Sequence, residues 1–413
     1  MSGKIFKDFT HKMIEQMILF LRIIISLLTF FLVAPIGFIV PKKKRLTIFI
    51  GNFKSVFSGN VKYLYLHINH AHQNDCEYYY LAEEPNTFAE LAKNGLPVLL
   101  FPSIKSIIKL YQANVLVVDN DRWVKNLKYH LLLNCHKVQL WHGVGFKRID
   151  PGRYRNDLLR CIINVLRGRF PKYDLVISTS EFYSKNVFAT AFKSKKLVEC
   201  GYSRNDIFFN EPDELDLLNV DVNCYNKIKD LRRRGYQIIL YAPTFRDLGG
   251  DALSDNALDI EKLTNFANGN KLHFIFKFHP SPQYRFNLEQ QEGITLFDNS
   301  KDVYPLLSQI DMMITDYSSI YMDYLLLKRP VVFFPYDYEY YVTQNREIQF
   351  DYDWITPGPK CYNQAELENE IVKILIKGED DYSQKRKEIL DFAFKYQDGN
   401  SSARIWQYLK EYY

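Results

Sequence analysis

The run Met312-Met313-Ile314-Thr315-Asp316-Tyr317-Ser318-Ser319 decides the fold. Its first four residues predict a short buried strand and Asp316-Tyr317 a turn. Ser318 or Ser319 then caps a helix with Ile320, Met322, Tyr324, Leu325 and Leu327 in its apolar pattern. Lys328-Arg329-Pro330 closes that helix, and Val331 to Phe334 begin another apolar strand. A strand running straight into a helix leaves free backbone N–H groups at the helix start. Two hydroxyls beside the positive end of the helix dipole make the turn a candidate phosphate site. The alternative is an ordinary capped helix.

The same strand–turn–helix pattern extends on both sides. Upstream, strands are predicted at 46–50, 77–81, 97–101, 114–119, 137–141, 174–179 and 196–200, with helices over 87–94 and 103–111. The acidic run Asn210-Glu211-Pro212-Asp213-Glu214-Leu215-Asp216 reads as a linker. Beyond it, strands at 237–242, 273–278 and 294–297 join the opening stretch in a second sheet. Residues 365–412 read as helical, with Trp406 and Leu409 available to pack back on the body. The expected fold is α/β, with two Rossmann-like parallel-sheet domains, 46–212 and 213–385, facing across a cleft. An N-terminal segment over 1–45 precedes them, and a C-terminal helix over 386–413 follows.

With 413 residues, 47% of them hydrophobic and 24% charged, the chain can build two cored domains. Its six scattered cysteines show neither a CxxC nor a metal spacing and read as reduced. The formal charge of +5 is concentrated at one end. Residues 1–45 hold eight Lys/Arg against Asp8 and Glu15, a local +6 that leaves the remainder at −1. A near-neutral body argues against a nucleic-acid partner. Ile18 to Val40 is nearly all apolar, and as a helix would cover about 34 Å against a hydrocarbon core of about 30 Å. Glu15, Arg22, Ser26 and Thr29 share one helical face, so a helix lying in the interface also fits. A buried core helix is the bland alternative. The following Pro41-Lys42-Lys43-Lys44-Arg45 predicts a cytoplasmic placement of the domains and contact with anionic membrane lipids.

Ligands of open α/β sheets sit beyond the carboxyl ends of the strands. The residues there are His142, Arg204, Asn205, Asp206, Thr244, Arg246, Asp247, His279, Asp316, Ser318 and Ser319. Imidazoles, guanidiniums and hydroxyls in that position describe a phosphate site with an acid–base group, although each alone could be a loop residue. GxGxxG after the first strand, GxxxxGK[ST], GxSxG and HExxH are all absent. No metal or cofactor is required by anything visible. His67, His70 and His72 lack an acidic ligand and read as helix-surface or crevice residues.

Several motifs occur in order: Trp141-His142-Gly143 with Lys147; Gly201-Tyr202-Ser203-Arg204-Asn205-Asp206; Tyr241-Ala242-Pro243-Thr244-Phe245-Arg246-Asp247; and Lys277-Phe278-His279-Pro280. Asp316-Tyr317-Ser318-Ser319, Asp323-Tyr324, Lys328-Arg329-Pro330, Pro335-Tyr336-Asp337 and Pro357-Gly358-Pro359 follow. The set resembles the CDP-glycerol:poly(glycerophosphate) glycerophosphotransferases of teichoic acid synthesis over about residues 46–360. The resemblance implies a GT-B fold at the cytoplasmic face of the cell membrane. It implies a CDP-polyol substrate and an undecaprenyl-type lipid-linked acceptor. His142 then matches a general base and His279 a second catalytic histidine. Arg204, Thr244, Arg246, Ser318 and Ser319 match donor phosphate and nucleotide contacts. Gly143, Lys147, Asn205, Asp206, Asp247 and Asp316 are expected in support, the aspartates to orient loops or basic residues. Val144-Gly145-Phe146 replaces a usual Thr-Pro-Leu, and Tyr202-Ser203 a more common Arg/Asn-Pro pair. Both departures are expected on the acceptor side. The competing functions are a GT-B glycosyltransferase with a nucleotide-sugar donor and a membrane-tethered glycan-binding module.

Overall fold

The computed structural model describes residues 24–25, 28, 30–51, 55–121, 123, 126–146, 149, 172–244, 246, 252–253, 255–278, 292–344 and 348–413. Among them twelve strands form two all-parallel sheets. The first contains β1 (Lys43–Ile50), β2 (Glu77–Ala82), β3 (Val98–Leu100), β4 (Ala113–Val118), β5 (His136–Gln139), β6 (Tyr173–Ser178) and β7 (Ser194–Glu199), in the order β3-β2-β1-β4-β5-β6-β7. The second contains β8 (Gln237–Tyr241), β9 (Leu272–Phe276), β10 (Ile294–Leu296), β11 (Met312–Thr315) and β12 (Val331–Phe333), in the order β10-β9-β8-β11-β12. Both sheets are doubly wound, and each reverses direction between its first and fourth strands. The expected two Rossmann-like units are therefore present. β11 occupies the four residues expected of it, whereas β1 begins three residues early, inside the basic run.

Strand composition explains the layering. β6, Tyr-Asp-Leu-Val-Ile-Ser, is buried along its whole length, as a parallel strand covered on both faces must be. Helices are stopped and started by short polar side chains: Asp221 accepts from the Cys224 N–H at 3.0 Å to start the helix Val222–Arg233. The expected helical run over 365–412 is instead broken into Gln364–Ile371, Ser383–Ala393 and Ser401–Lys410, with a π-turn at Val372–Ile376 and a left-handed Gly378 between the first two. The last helix lies on the first sheet. Ile405, Trp406 and Leu409 join a core cluster with Phe49, Val115 and Leu175, and the Tyr413 hydroxyl meets the Thr47 hydroxyl at 2.7 Å.

Part of the expected apolar N-terminal segment lies outside the described residues; within them, 24–25, 28 and 30–39 are helical. Ala34 and Gly37 face inward, the latter against the Tyr111 ring, and the Tyr111 hydroxyl donates to the Val33 carbonyl at 3.0 Å. No described helix is long and apolar enough to cross a membrane.

The domains meet along a buried polar seam. Lys62, on the helix Gly59–Ala71 of the first domain, is fully buried. Its ammonium donates to the linker-side carbonyls of Asp216 (2.7 Å) and Leu218 (2.9 Å) and to Asp302 of the second domain (3.0 Å). Tyr63 adds a hydroxyl to the same carboxylate at 2.9 Å. Three oxygens on three donor hydrogens satisfy the lysine completely, which is the condition for burying it. Asp302→Ala is expected to destabilise the protein by about 3–5 kcal/mol, because the ammonium stays buried without its countercharge. Lys62→Met combined with Asp302→Leu is expected to cost much less. Urea unfolding midpoints distinguish the two, and equal losses would show that packing, and not charge, holds the seam.

Candidate active site

The loop after β5 carries His142 outward into solvent. Trp141 adopts φ +58°, and its carbonyl accepts from the Asn60 amide at 2.7 Å. The His142 ring lies 4.0 Å from the Trp141 ring, and its Nδ1 is 3.1 Å from the Asp119 carbonyl. A carbonyl only accepts, so Nδ1 carries the hydrogen and the neutral ring keeps its lone pair on Nε2. Gly143 sits at φ +143°, where a Cβ would come within 3.1 Å of Arg204 Nη2 and 3.4 Å of Ser319 Oγ. A Cβ on Gly145 would lie 2.9 Å from that of Ser319. Two glycines thus let the His142 loop press against the turn after β11, so the two sequence motifs meet across the seam.

Arg204, only 6% exposed, closes this contact from below. Nη1 donates to the His142 carbonyl at 2.9 Å and Nη2 to Asp323 at 2.5 Å. Asn205 and the Tyr304 hydroxyl also donate to Asp323, at 2.9 and 2.8 Å, and the guanidinium carbon lies 4.7 Å from the Tyr304 ring centre. Arg246 is equally occupied. It binds both oxygens of Asp337 at 2.7 and 2.9 Å and Asp316 at 2.8 Å, with the Tyr317 and Tyr341 rings beside it. Both guanidiniums expected to meet phosphate are thus partnered by carboxylates. Thr244 lies next to Arg246: its N–H donates to Asp316 at 2.7 Å, and its carbonyl accepts from Arg246 at 2.6 Å. Ser318 and Ser319 are half-buried at the start of the helix Ile320–Tyr324, and Ser319 makes no side-chain cap bond.

The aspartates hold other groups in place. Asp316 orients Thr244, Tyr317 and Arg246. Asp206 accepts from the N–H groups of Ser401 and Ser402 at 2.9 and 2.8 Å and so caps the last helix. Lys147, Asp247 and His279 lie outside the described residues.

The residues of the two departures from the family pattern pack largely inside the seam. Val144 and Phe146 are buried, with Phe146 against the Tyr321 and Tyr352 rings. Tyr202 and Ser203 are buried as well, and Ser203 donates to the Asn60 carbonyl at 2.6 Å. Because the loops run beneath the seam, these substitutions repack it. The partners Asp323 and Asp337 had no role assigned from sequence. The available signal was Asp323 itself, a lone acid in an apolar helix, which must find a partner once buried. Among the described residues no cluster of three or more His, Cys, Asp or Glu could hold a metal ion.

Two doubly wound sheets with polar strand ends meeting at one seam define a GT-B-like protein. Residues 32–411 match the model of the CDP-Glycerol:Poly(glycerophosphate) glycerophosphotransferase family, and the chain belongs to it. It is 28% identical over 342 residues to a teichoic acid poly(glycerol phosphate) polymerase of Bacillus subtilis, covering 78% of this chain and 42% of the relative. It is 27% identical over 380 residues to the teichoic acid ribitol-phosphate polymerase TarL of Staphylococcus aureus, covering 88% and 62%. A teichoic acid glycerol-phosphate primase of B. subtilis matches at 28% over 338 residues, covering 79% and 80%. The chain therefore spans less than two thirds of the length of those two polymerases. The solved wall teichoic acid polymerase TagF superimposes with a TM-score of 0.67 at 24% identity, over 90% of this chain and 89% of that one, a likeness of fold.

Asp119 lies at the switch point of the first sheet, its carboxyl beside the start of the helix Gly59–Ala71, where the Val61 N–H favours its charged form. Burial raises its pKa from 3.8 to about 7, against the opposing pull of Asn120, Arg204 and that N–H. The folded state then holds a proton that the unfolded state has released, so Asp119 should cost stability progressively as pH rises from about 4 to about 7. Asp119→Asn should remove this loss, on the order of 4 kcal/mol. The check is the difference in unfolding free energy between wild type and variant across that range; a constant difference would place the carboxyl's pKa near its ordinary value.

Proposed function

We propose that the protein transfers a polyol phosphate from a CDP-polyol to a lipid-linked glycan or growing teichoic-acid-like polymer, releasing CMP. The observation carrying this reading is the meeting of the His142 loop with the Ser319 turn, at 3.4 Å from a Gly143 Cβ position to Ser319 Oγ. It sets an exposed base beside a strand–turn–helix of the phosphate-binding kind. The acceptor hydroxyl attacks the β-phosphorus and forms the new O–P bond. Nε2 of His142 takes its proton, the bond from that phosphorus to the bridging oxygen breaks, and CMP leaves with the bonding pair. Helix-start N–H groups and the hydroxyls of Ser318 and Ser319 offset the growing negative charge. His279 is assigned to the transferred phosphate on sequence grounds. Relatives named for glycerol-phosphate and for ribitol-phosphate polymers support either polyol.

CMP release from CDP-glycerol and CDP-ribitol, with a lipid-linked acceptor extract, tests the reading; silence with both donors would overturn it. His142→Ala should lower turnover about 10²- to 10⁴-fold while leaving CDP-glycerol affinity nearly intact. Loss of binding and turnover in equal proportion would reject His142 as the base.

The same reading places the enzyme at the membrane by an interfacial helix. In support, Phe31, Leu32, Phe38 and Ile39 recur on one exposed face of helix 30–39, up to 79% exposed, opposite Ala34 and Gly37. Ile104 (81%) and Ile108 are exposed on the neighbouring helix Ile104–Gln112, and Lys42, Lys43, Lys44, Arg45 and Lys105 supply positive charge for anionic lipids. Phe38→Asp with Ile39→Asp should reduce co-sedimentation with phosphatidylglycerol vesicles at least several-fold. Undiminished sedimentation would move the contact elsewhere.

A further inference from the structure

With Arg204 and Arg246 tied to carboxylates, the donor's diphosphate needs another cation. Two lysines lie along the seam, and they differ sharply. Lys62 has three oxygens within 3.0 Å, one of them charged. Lys277 immediately follows β9, and its N–H donates to the Tyr241 carbonyl at 2.8 Å, which carries the β8–β9 pairing to the carboxyl edge of the sheet. Its side chain is half-buried. Among the described residues the ammonium has one long contact, 3.4 Å to Asn299 Oδ1, a neutral oxygen. Asn299 is itself fixed, since its amide donates to the Phe278 carbonyl at 2.5 Å.

The carboxylate whose field reaches Lys277 is Asp302, and that group is committed elsewhere. One oxygen takes Lys62 and Tyr63, and the other takes the Tyr304 N–H at 3.1 Å. Among the described residues no carboxylate forms an ion pair with Lys277. Burial pulls its pKa down, with Asp302 acting in the other direction. An ammonium withdrawn from water with one poor acceptor for three hydrogens is under-compensated. It stands at the strand-end edge where ligands of doubly wound sheets bind, beside β8, whose end carries Thr244.

We propose that Lys277 is the cation that grips the diphosphate of the nucleoside-diphosphate donor. The proposal rests on the donor reading above. It replaces the two guanidiniums with a point charge that an arriving anion completes. Arg204 and Arg246 then hold the walls of the site, and Lys277 supplies its attraction.

The test is calorimetric titration of the full chain with CDP, cytidine and inorganic pyrophosphate. Lys277→Met keeps the length of the stem and removes the charge. It should weaken CDP binding roughly ten- to a hundred-fold and leave cytidine binding unchanged. Lys277→Arg should recover part of the CDP affinity, and Lys277→Gln serves as a second neutral variant should the methionine chain fold poorly. CDP bound equally by wild type and both neutral variants would overturn the proposal. So would parallel losses of CDP and cytidine, the mark of a structural role. If wild type ignored CDP, the donor reading would fall. Lys277 would then stand or fall on pyrophosphate: binding lost in Lys277→Met supports an anion site, and no binding to wild type removes it.

Discussion

The contact between Arg204 and Asp323 is the constraint on which the rest of the site depends. One guanidinium joins the loop after β7, the carbonyl of His142 and the helix after β11, so three strand ends from two domains share a single buried charge. A buried ion pair is weak evidence for net stability, because desolvating both ions offsets much of their attraction. Its effect here is on position. Breaking it would leave Asp323 with Asn205 and Tyr304 as its remaining donors, so the arrangement with the pair formed is strongly preferred. Gly143 belongs to the same device, since a side chain there would crowd the guanidinium that fixes its own loop.

The repeated doubly wound order explains why the polar groups gather where they do. Each sheet leaves a crevice where its strand order reverses, between β1 and β4 and between β8 and β11. Asp119 occupies the first crevice, beside the start of a helix; Asp316 occupies the second and orients Thr244 and Arg246. Acids at the floor and bases above them give rigid walls with little net charge, and that is why a cation with no carboxylate partner among the described residues matters more than one that is paired.

Sheet-level structure was legible because it is written in local pattern. Met312 to Thr315 is apolar and bounded by a turn and a cap, and it is the strand expected. The strand-end residues were legible for the same reason, since finding an edge requires only finding a strand. What stayed hidden was pairing. Nothing local tells Arg204 that its partner is Asp323, 119 residues away, or Arg246 that Asp337 lies 91 residues on. A guanidinium at a strand end looks like a phosphate ligand until its carboxylate is located in space. Lys62 was hidden in a helix that reads as polar and aromatic, although it is fully buried.

The departures from the family pattern extend this point. Val144-Gly145-Phe146 and Tyr202-Ser203 differ from the usual residues in two loops that are far apart in sequence, which invites a reading in terms of substrate. In space both lie under the seam: Phe146 packs on Tyr321 and Tyr352 of the second domain, and Ser203 holds the carbonyl of Asn60, whose side chain steadies Trp141 and the Arg204 backbone. A change in one loop alters the surface the other must meet, so both sets of residues act on the angle and closeness of the two domains. The buried positions act by setting how tightly the seam closes.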